Sequence, residues 1–253
     1  LRLRTPGLTG ATEAMEPASR APTAGSASAI TTEPPAHIEE PVLPLICIDV
    51  DGTLLGSSGV PTDGVWTAAE AAIARGQHLA ICTARVAVGP TWDYARRLDP
   101  AGWHIFHSGA ALINAETLEV DGEVVDEATI TACERLAVEH GWVLEYYSAF
   151  EIACPSTEAL AVQHAGLLGL AHQPRSRDDL TGPLVRLQFV VPIEDTDAVL
   201  AAVPAGAQGT AATSPALDHA AFISVTKAEV SKATAIAKLA HRLGFGPEAV
   251  MMV

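Results

Sequence analysis

Asp49 and Asp51 stand two residues apart, directly after the apolar run 42–48. An apolar run without alternation is typical of a strand buried on both faces of a parallel sheet. Residues two apart in an extended segment point to the same side, so the two carboxylates can converge on one ligand. Two acids this close repel each other unless a cation lies between them or one of them holds a proton. Open α/β sheets bind ligands just beyond the carboxyl ends of their strands, which is where this pair is expected.

The residues after the pair extend it into a longer motif. A strand that ends in a common Asp-Gly turn explains Asp51 and Gly52 but not Asp49. The string Asp-Val-Asp-Gly-Thr-Leu-Leu, residues 49–55, resembles motif I of the haloacid dehalogenase-like phosphohydrolases. In that family the first Asp is the nucleophile, which forms an aspartyl-phosphate, and the second is general acid and then general base. The resemblance assigns these roles to Asp49 and Asp51.

A second strand is predicted at residues 78–82, after a helix. A strand, a helix and a strand of this length form a right-handed parallel crossover, which places Thr83 beside the end of the Asp49 strand. The segment Thr83-Ala84-Arg85 resembles the family's motif II, in which a Ser or Thr hydrogen-bonds the transferring phosphoryl group. The subclass with large type-two caps usually has Thr-Gly-Arg at this point. Thr83 can equally serve as a helix N-cap, and the two roles are compatible.

A third strand, predicted at residues 103–107, ends in Ser-Gly-Ala at 108–110, where the family commonly has Asn-Gly-Ala. His104 and His107 have no metal-ligand spacing and are interpreted as ordinary strand residues. The resemblance implies that the loops after the three strands contact the phosphate and the substrate. The residues expected there are Gly52, Thr53, Ala84, Arg85, Ser108 and Gly109.

A lysine at a helix start completes the predicted site. Val-Ser-Lys-Ala at residues 230–233 matches the family's usual Val-Ser-Lys-Gly, which makes Lys232 the motif III lysine, with Lys227 as the alternative. The family often has Gly at the position of Glu229.

The end of the sequence is the apolar run 249–253, which predicts a further buried strand closing at Val253. The family's motif IV, Gly-Asp-x-x-Asn-Asp, would follow Val253. We expect the chain to end before this motif, and we expect such a chain to bind Mg²⁺ weakly and to show little activity.

The sequence predicts a doubly wound parallel-sheet (Rossmann-like) α/β core with an inserted α+β type-two cap domain. From about Asn114 the pattern changes to a hairpin, a helix, a strand, a helix and a strand. The hairpin is expected to turn at Asp121-Gly122. The cap residues that could contact the substrate, or equally lie on the surface, are Glu145, Tyr146, Tyr147, His164, Arg175 and Arg177. The expected divisions are a disordered tail at 1–41, a core at 42–114 and 218–253, and a cap at 115–217.

Composition excludes several classes of function. The 253-residue chain is 49% hydrophobic, enough for a sizeable core, and carries a net charge of −15. So acidic a chain is not expected to bind nucleic acid or an anionic membrane, because both need basic patches. No apolar run approaches the roughly 18 residues of a membrane span. The four cysteines lack metal-ligand spacing and are expected to be core residues of a cytoplasmic protein.

The resemblance implies a Mg²⁺-dependent phosphatase, most like the Cof-type sugar-phosphate phosphatases, that acts on a small phosphorylated metabolite. It implies that Mg²⁺ is bound by the Asp49 carboxylate, the Asp51 backbone carbonyl and a further acid of motif IV, expected beyond Val253. A phosphomutase shares this core and is the alternative within the family. Outside the family, the alternatives are a signalling receiver domain, which has no inserted module, and a non-catalytic phosphate-binding module.

Overall fold

A computed structural model describes residues 43–253, and the predicted tail at residues 1–41 lies outside the described part. The strands are β1 (Leu45–Ile48), β2 (His78–Ile81), β3 (Trp103–Phe106), β4 (Ala111–Asn114), β5 (Val120–Gly122), β6 (Val143–Tyr147), β7 (Ile152–Ala153), β8 (Arg186–Pro192), β9 (Ala207–Ser214), β10 (Leu217–Lys227) and β11 (Val250–Met252). The α-helices are α1 (Asp63–Ala74), α2 (Gly89–Leu98), α3 (Glu127–His140), α4 (Ala159–Leu167), α5 (Thr196–Ala202) and α6 (Lys232–Arg242).

The first sheet places β1 between two parallel neighbours, in the order β11-β1-β2. A parallel bridge between Cys82 and Ile105 continues the sheet to β3, and the antiparallel strands β4 and β5 follow at its edge. Leu45 and Cys47 of β1 pack on α6 and are fully buried, whereas α1 and α2 cover the opposite face. Helices on both faces of a parallel sheet form the doubly wound core that the sequence predicts.

Strand β11 forms where the sequence predicts a last strand, but it is shorter and less buried than expected. It ends at Met252, so Val253 lies just outside the strand. The side chains of Met251, Met252 and Val253 are 42–44% exposed. The expectation of a buried strand through Val253 is therefore wrong for this part of the chain. Within residues 43–253, β11 pairs with β1 on one side only, so its outer edge stays open to solvent.

The second sheet is antiparallel and has five strands, in the order β7-β6-β8-β10-β9. Helices α3 and α5 pack on one face, where Phe189 and Ile223 are fully buried. Helix α4 packs on part of the other face through Ala161. The chain enters this sheet after β5 and leaves it before α6, so the sheet and its helices form an α+β insertion in the core.

The insertion ends later than the sequence predicts. The expected boundary at residue 217 assigns β10 to the core, but β10 pairs with β8 and β9 in the five-stranded sheet. Only residues 215 and 216 separate β9 from β10, so the two strands form an antiparallel hairpin. An apolar strand has the same pattern in either sheet, and here the short connection decides its partner.

The insertion also begins later than residue 115. Strands β4 and β5 form a hairpin at the edge of the core sheet rather than in the cap. Asn114 Oδ1 accepts hydrogen bonds from the N–H groups of Glu116 and Thr117, at 3.1 and 2.8 Å. This side-chain turn reverses the chain before β5. The predicted turn at Asp121-Gly122 is therefore wrong, because both residues lie within β5.

Two short linkers join the insertion to the core, residues 123–126 before α3 and residues 228–231 before α6. Ion pairs connect them. Lys227 Nζ, at the end of β10, lies 2.9 Å from Glu123 Oε2, and Lys238 Nζ, in α6, lies 3.0 Å from Glu123 Oε1. Glu123, in the first linker, is thus bound by lysines of β10 and α6, the two elements on either side of the second linker.

The four cysteines are free and buried, as predicted. Burial raises the pKa of Cys47, Cys82 and Cys133 to about 12 and that of Cys154 to about 11. These thiols are therefore core residues rather than reactive groups. Among residues 43–253, none of the helices combines the length and the apolar character that a membrane crossing requires.

Candidate active site

The Asp49 carboxylate, at the end of β1, forms an ion pair with Lys232, at the start of α6. Lys232 Nζ lies 2.5 Å from Asp49 Oδ2, and both side chains are 32% exposed. Asp49 Oδ1 accepts a hydrogen bond of 2.7 Å from the N–H of Val50. The fold thus brings together the predicted nucleophile and the predicted motif III lysine. The alternative lysine, Lys227, contacts Glu123 instead.

The first turn of α6 holds Lys232 in place. Ser231 Oγ accepts a hydrogen bond of 3.1 Å from the N–H of Thr234, and Thr234 Oγ1 accepts one of 2.9 Å from the N–H of Ser231. This reciprocal cap satisfies N–H groups that a helix start otherwise leaves without partners. Lys232 is the first residue of the helix that the cap fixes.

Gly109 lets α6 approach the loop after β3. Its φ is +107°, and a Cβ in its place would overlap the backbone carbonyl of Ser231. Only glycine combines this φ with so close a contact. The sequence predicts a phosphate or substrate contact for Gly109, whereas the structure buries it against the helix that carries Lys232.

The Asp51 carboxylate is held by Arg85 through two hydrogen bonds. Arg85 Nη2 donates to Oδ1 at 2.6 Å, and Nε donates to Oδ2 at 3.1 Å. Arg85 Nη1 also lies 3.4 Å from Thr91 Oγ1. The Arg85 and Asp51 side chains are 41% and 63% exposed, so solvent screens the ion pair. Both oxygens of the predicted general acid are therefore engaged by a cation.

Thr83 follows β2 and is fully buried. Because β1 and β2 pair in register, Thr83 and Asp49 leave neighbouring strand ends. Thr83 Oγ1 accepts a hydrogen bond of 3.2 Å from the N–H of Arg85, and the Thr83 carbonyl accepts one of 2.9 Å from the N–H of Ser108. Thr83 therefore orders the motif II loop and ties it to the loop after β3.

The remaining predicted contacts lie on the same loops. Gly52 has a φ of +81° and donates a hydrogen bond of 3.1 Å to the Leu55 carbonyl in an exposed turn that includes Thr53. Ala84 is exposed, and Ser108 is half-buried with a φ of +58°. These residues follow β1, β2 and β3 at one edge of the sheet, where an open α/β sheet binds its ligand.

Arg186, which is not among the residues predicted from sequence, joins the five-stranded sheet to the motif II loop. Its Nη1 donates a hydrogen bond of 2.7 Å to the Ala84 carbonyl, and its guanidinium lies 3.9 Å from the centre of the Tyr147 ring. The residue is only 5% exposed, and burial lowers its pKa. The sequence signal for this residue is a lone charge at the start of the otherwise uncharged strand β8.

A buried polar cluster lies behind Arg186. Glu145 accepts hydrogen bonds from Tyr147 Oη at 2.5 Å and from Gln188 Nε2 at 3.1 Å, and His164 Nδ1 lies 2.7 Å from its other oxygen. Burial raises the pKa of the Tyr147 hydroxyl well above its usual value. The sequence offers Glu145, Tyr147 and His164 as substrate contacts or surface residues, and the structure buries all three.

The other cap candidates form contacts within the insertion. Tyr146 donates to Glu134 at 3.2 Å, Arg175 pairs with Glu151 at 2.8 Å, and Arg177 pairs with Glu127 at 3.1 Å.

Asp49 and Asp51 are the residues suited to hold a cation at this edge. Mg²⁺ prefers oxygen ligands, and the Asp49 carboxylate and the Asp51 backbone carbonyl are both of that kind. Residues 43–253 contain no cluster of three or more His, Cys, Asp or Glu side chains placed to bind a metal. The donor chemistry therefore fits Mg²⁺, and a bound cation would share the Asp49 carboxylate with Lys232.

The backbone of Val253 pairs with the backbone at Asp49, the candidate nucleophile. Its carbonyl accepts a hydrogen bond of 2.8 Å from the N–H of Asp49, and its own N–H donates one of 3.0 Å to the Cys47 carbonyl. Val253 itself brings no acidic side chain to the cation site. A residue that followed it would leave the sheet at the same edge as Asp49, where ligands bind. The further acidic ligand expected beyond Val253 stays a prediction.

The chain resembles known proteins along most of its described length. Residues 46–253 match the family model of the haloacid dehalogenase-like hydrolases. YxeH of Bacillus subtilis (strain 168), which its name describes as a candidate phosphatase, is 24% identical over 216 residues, 83% of this chain and 79% of YxeH.

Solved structures share the fold. BT1666 from Bacteroides thetaiotaomicron, described among phosphatases of the haloalkanoate enzyme superfamily, has a TM-score of 0.70 and 18% identity, covering 88% of this chain and 80% of its own. BT4131, described as a subclass IIB sugar phosphatase, has a TM-score of 0.66 and 19% identity, covering 82% of this chain and 79% of its own.

Proposed function

The chain belongs to the haloacid dehalogenase-like hydrolase family, and we propose that it is a Mg²⁺-dependent phosphatase acting through an aspartyl-phosphate on Asp49. The substrate is a small phosphorylated metabolite, a sugar phosphate or a similar ester. The observation that carries the proposal is the ion pair of 2.5 Å between Asp49 and Lys232, with Asp51 and Thr83 on the adjoining loops.

In the first step, an Asp49 carboxylate oxygen attacks the phosphorus in line with the ester oxygen. The bond between phosphorus and the ester oxygen breaks, and Asp51 donates a proton to that oxygen as the alcohol leaves. In the second step, Asp51 takes a proton from water, which attacks the phosphorus. The bond to Asp49 then breaks and inorganic phosphate is released.

Lys232 and Thr83 stabilise the charge that develops on the phosphoryl oxygens. Lys232 now neutralises Asp49, so it must exchange part of this contact for the phosphoryl group when the substrate binds. Asp49 and the Asp51 carbonyl would hold Mg²⁺, which neutralises negative charge on the phosphoryl oxygens when bound. In a chain with a net charge of −15, cations at the site offset the repulsion of an anionic substrate.

Phosphate release tests this proposal. The protein, expressed to its natural stop codon, is assayed with Mg²⁺ against a panel of sugar phosphates and nucleotides. We expect Asp49→Asn to abolish release and labelling by beryllium fluoride, while Asp218→Asn, a change at an exposed strand position, leaves both intact. Full turnover in Asp49→Asn would rule out the mechanism. Transfer of phosphate between hydroxyls of one sugar, without release, would favour the phosphomutase alternative.

A further inference from the structure

A cavity of about 680 Å³ begins at the Asp51–Arg85 ion pair. It lies between the loop after β1 and the first turns of α2. Its larger side chains, besides the ion pair, are Leu55, Val60, Pro90 and Tyr94. All of its lining residues belong to the core, so this space is distinct from the buried polar cluster of the insertion.

Among the residues that line this cavity, all of them described, Arg85 is the one cation and Asp51 the one carboxylate. The two bind each other through both carboxylate oxygens. An ion pair this exposed contributes little to stability, so a second anion can compete for the guanidinium. Thr91 Oγ1, within 3.4 Å of Nη1, provides a contact that remains when Asp51 leaves.

We propose that this cavity binds the leaving group of the substrate, and that Arg85 recognises a carboxylate or a second phosphate on it. The inference rests on the proposed function and narrows the substrate to phosphate esters whose leaving group is itself anionic. The substrate anion replaces Asp51 on the Nε and Nη2 face of Arg85. The apolar walls contact the carbon skeleton between the two anionic groups.

The exchange has a consequence for Asp51. With both of its oxygens bound by Arg85, the Asp51 carboxyl group is not free to turn toward the leaving oxygen. Binding of the substrate anion to Arg85 releases Asp51 for that step. Arg85 therefore contributes twice to the choice of substrate, by binding the anion and by freeing the general acid only when the anion is present.

Two matched pairs of esters test the inference: 6-phosphogluconate against glucose 6-phosphate, and 3-phosphoglycerate against glycerol 3-phosphate. The protein, expressed to its natural stop codon, should show a kcat/KM about 10–100-fold higher for the carboxylate member of at least one pair, as expected for one charge-assisted hydrogen-bonding contact. Equal kcat/KM values within both pairs would overturn the inference.

Arg85→Gln separates this role from simple phosphate binding. It should lower kcat/KM for the anionic ester and raise kcat severalfold for the neutral one, because Asp51 is then never engaged. Arg96→Gln removes the same charge from the exposed side of α2, outside the cavity, and should change neither value. An equal loss for both esters in Arg85→Gln would contradict the inference and place Arg85 on the transferring phosphoryl group.

Calorimetric titration tests the cavity inference separately from the proposed phosphatase activity. In Asp49→Asn, which retains the cavity, 6-phosphogluconate should bind at least about tenfold more tightly than glucose 6-phosphate, and adding Arg85→Gln should remove the difference. Equal affinities in Asp49→Asn would overturn the cavity inference even if the wild type releases phosphate. The expected difference in affinity, without phosphate release by the wild type, would support the cavity and refute the phosphatase.

Discussion

The Arg186 guanidinium donates a hydrogen bond of 2.7 Å to the backbone carbonyl of Ala84. Arg186 lies in the five-stranded sheet, and Ala84 lies between Thr83 and Arg85 in the motif II loop. The contact therefore joins the insertion directly to the loop that positions two candidate site residues. Because the arginine is buried on the Tyr147 ring, the donor side of the contact is shielded from competing water.

Arg186→Met should destabilise the protein by about 2–4 kcal/mol, because it leaves the Ala84 carbonyl without its donor and removes a buried cation near Glu145. Urea unfolding followed by tryptophan fluorescence measures this loss. Arg175→Met, at a half-exposed ion pair, is the control and should cost less than about 1 kcal/mol. Faster amide exchange at Arg85 in Arg186→Met alone would locate the effect in the motif II loop, and equal losses in the two variants would contradict this account.

Gly109→Ala should cost about 2–4 kcal/mol and should also abolish phosphate release. The new methyl group meets the Ser231 carbonyl at a φ of +107°, so the start of α6 must move and carry Lys232 away from Asp49. Unfolding curves and phosphate assays report the two effects. Gly166→Ala, at a helical position with open space, should be neutral or stabilising by about 0.5–1 kcal/mol. A Gly109→Ala protein with normal turnover would refute the packing argument.

Glu229 has a φ of +66°, in the left-handed region that favours glycine. The Gly variant at this position should therefore be about 1 kcal/mol more stable than the Ala variant. At Arg135, an exposed position inside α3, the order should reverse, because Gly is about 1 kcal/mol less favourable than Ala in a helix. Thermal or urea unfolding of the four variants provides the comparison. The same order of stability at both positions would show that the backbone conformation at Glu229 does not determine which variant is more stable.

Protonation of His104 should lower the stability of the protein as the pH falls below neutral. Its Nδ1 accepts the Ile81 N–H at 3.1 Å and its Nε2 lies 3.0 Å from the Asp99 carbonyl, which requires the neutral ring. Burial lowers its pKa to about 4, so the unfolded state binds the proton more readily between pH 6.5 and 4. The stabilisation is complete above pH 6.5 and decreases as pH falls, by about 2 kcal/mol at pH 5.

His104→Gln tests this pH dependence, because the amide can accept from Ile81 and donate to Asp99 without titrating. The unfolding free energy is measured at pH 7 and at pH 5 for each protein. The difference between the two values should be about 2 kcal/mol smaller in the variant than in the wild type. An identical pH dependence in both proteins would assign the effect to other groups.

The chemistry of the site was predictable where it depends on residue types in a continuous string. Asp49, Asp51 and Thr83 end or follow strands whose order is set by a crossover rule, so their neighbourhood follows from the sequence. The local string of Lys232 favours it over Lys227, and in the structure Lys232 forms an ion pair with Asp49. The roles of these residues in catalysis remain predictions.

What the sequence could not supply are pairings between distant positions. Arg186 binds a backbone carbonyl, and every residue has one, so no residue type marks Ala84 as its partner. The pairing of Asp51 with Arg85 joins two residues that were singled out separately. The apolar pattern of β10 fits either sheet and wrongly places it in the core, because only the hairpin with β9 distinguishes the two sheets.

The ion pairs of Glu123 make the attachment of the insertion to the core sensitive to dissolved salt. Lys227 and Lys238 bind this one carboxylate at the two linkers, and all three side chains are partly open to water. The screening length shortens from about 10 Å at 0.1 M salt to about 3 Å at 1 M, so concentrated salt weakens these contacts far more than the apolar core. Ionic strength should therefore change how firmly these contacts hold the two linkers together, and the second linker, residues 228–231, leads directly to Lys232.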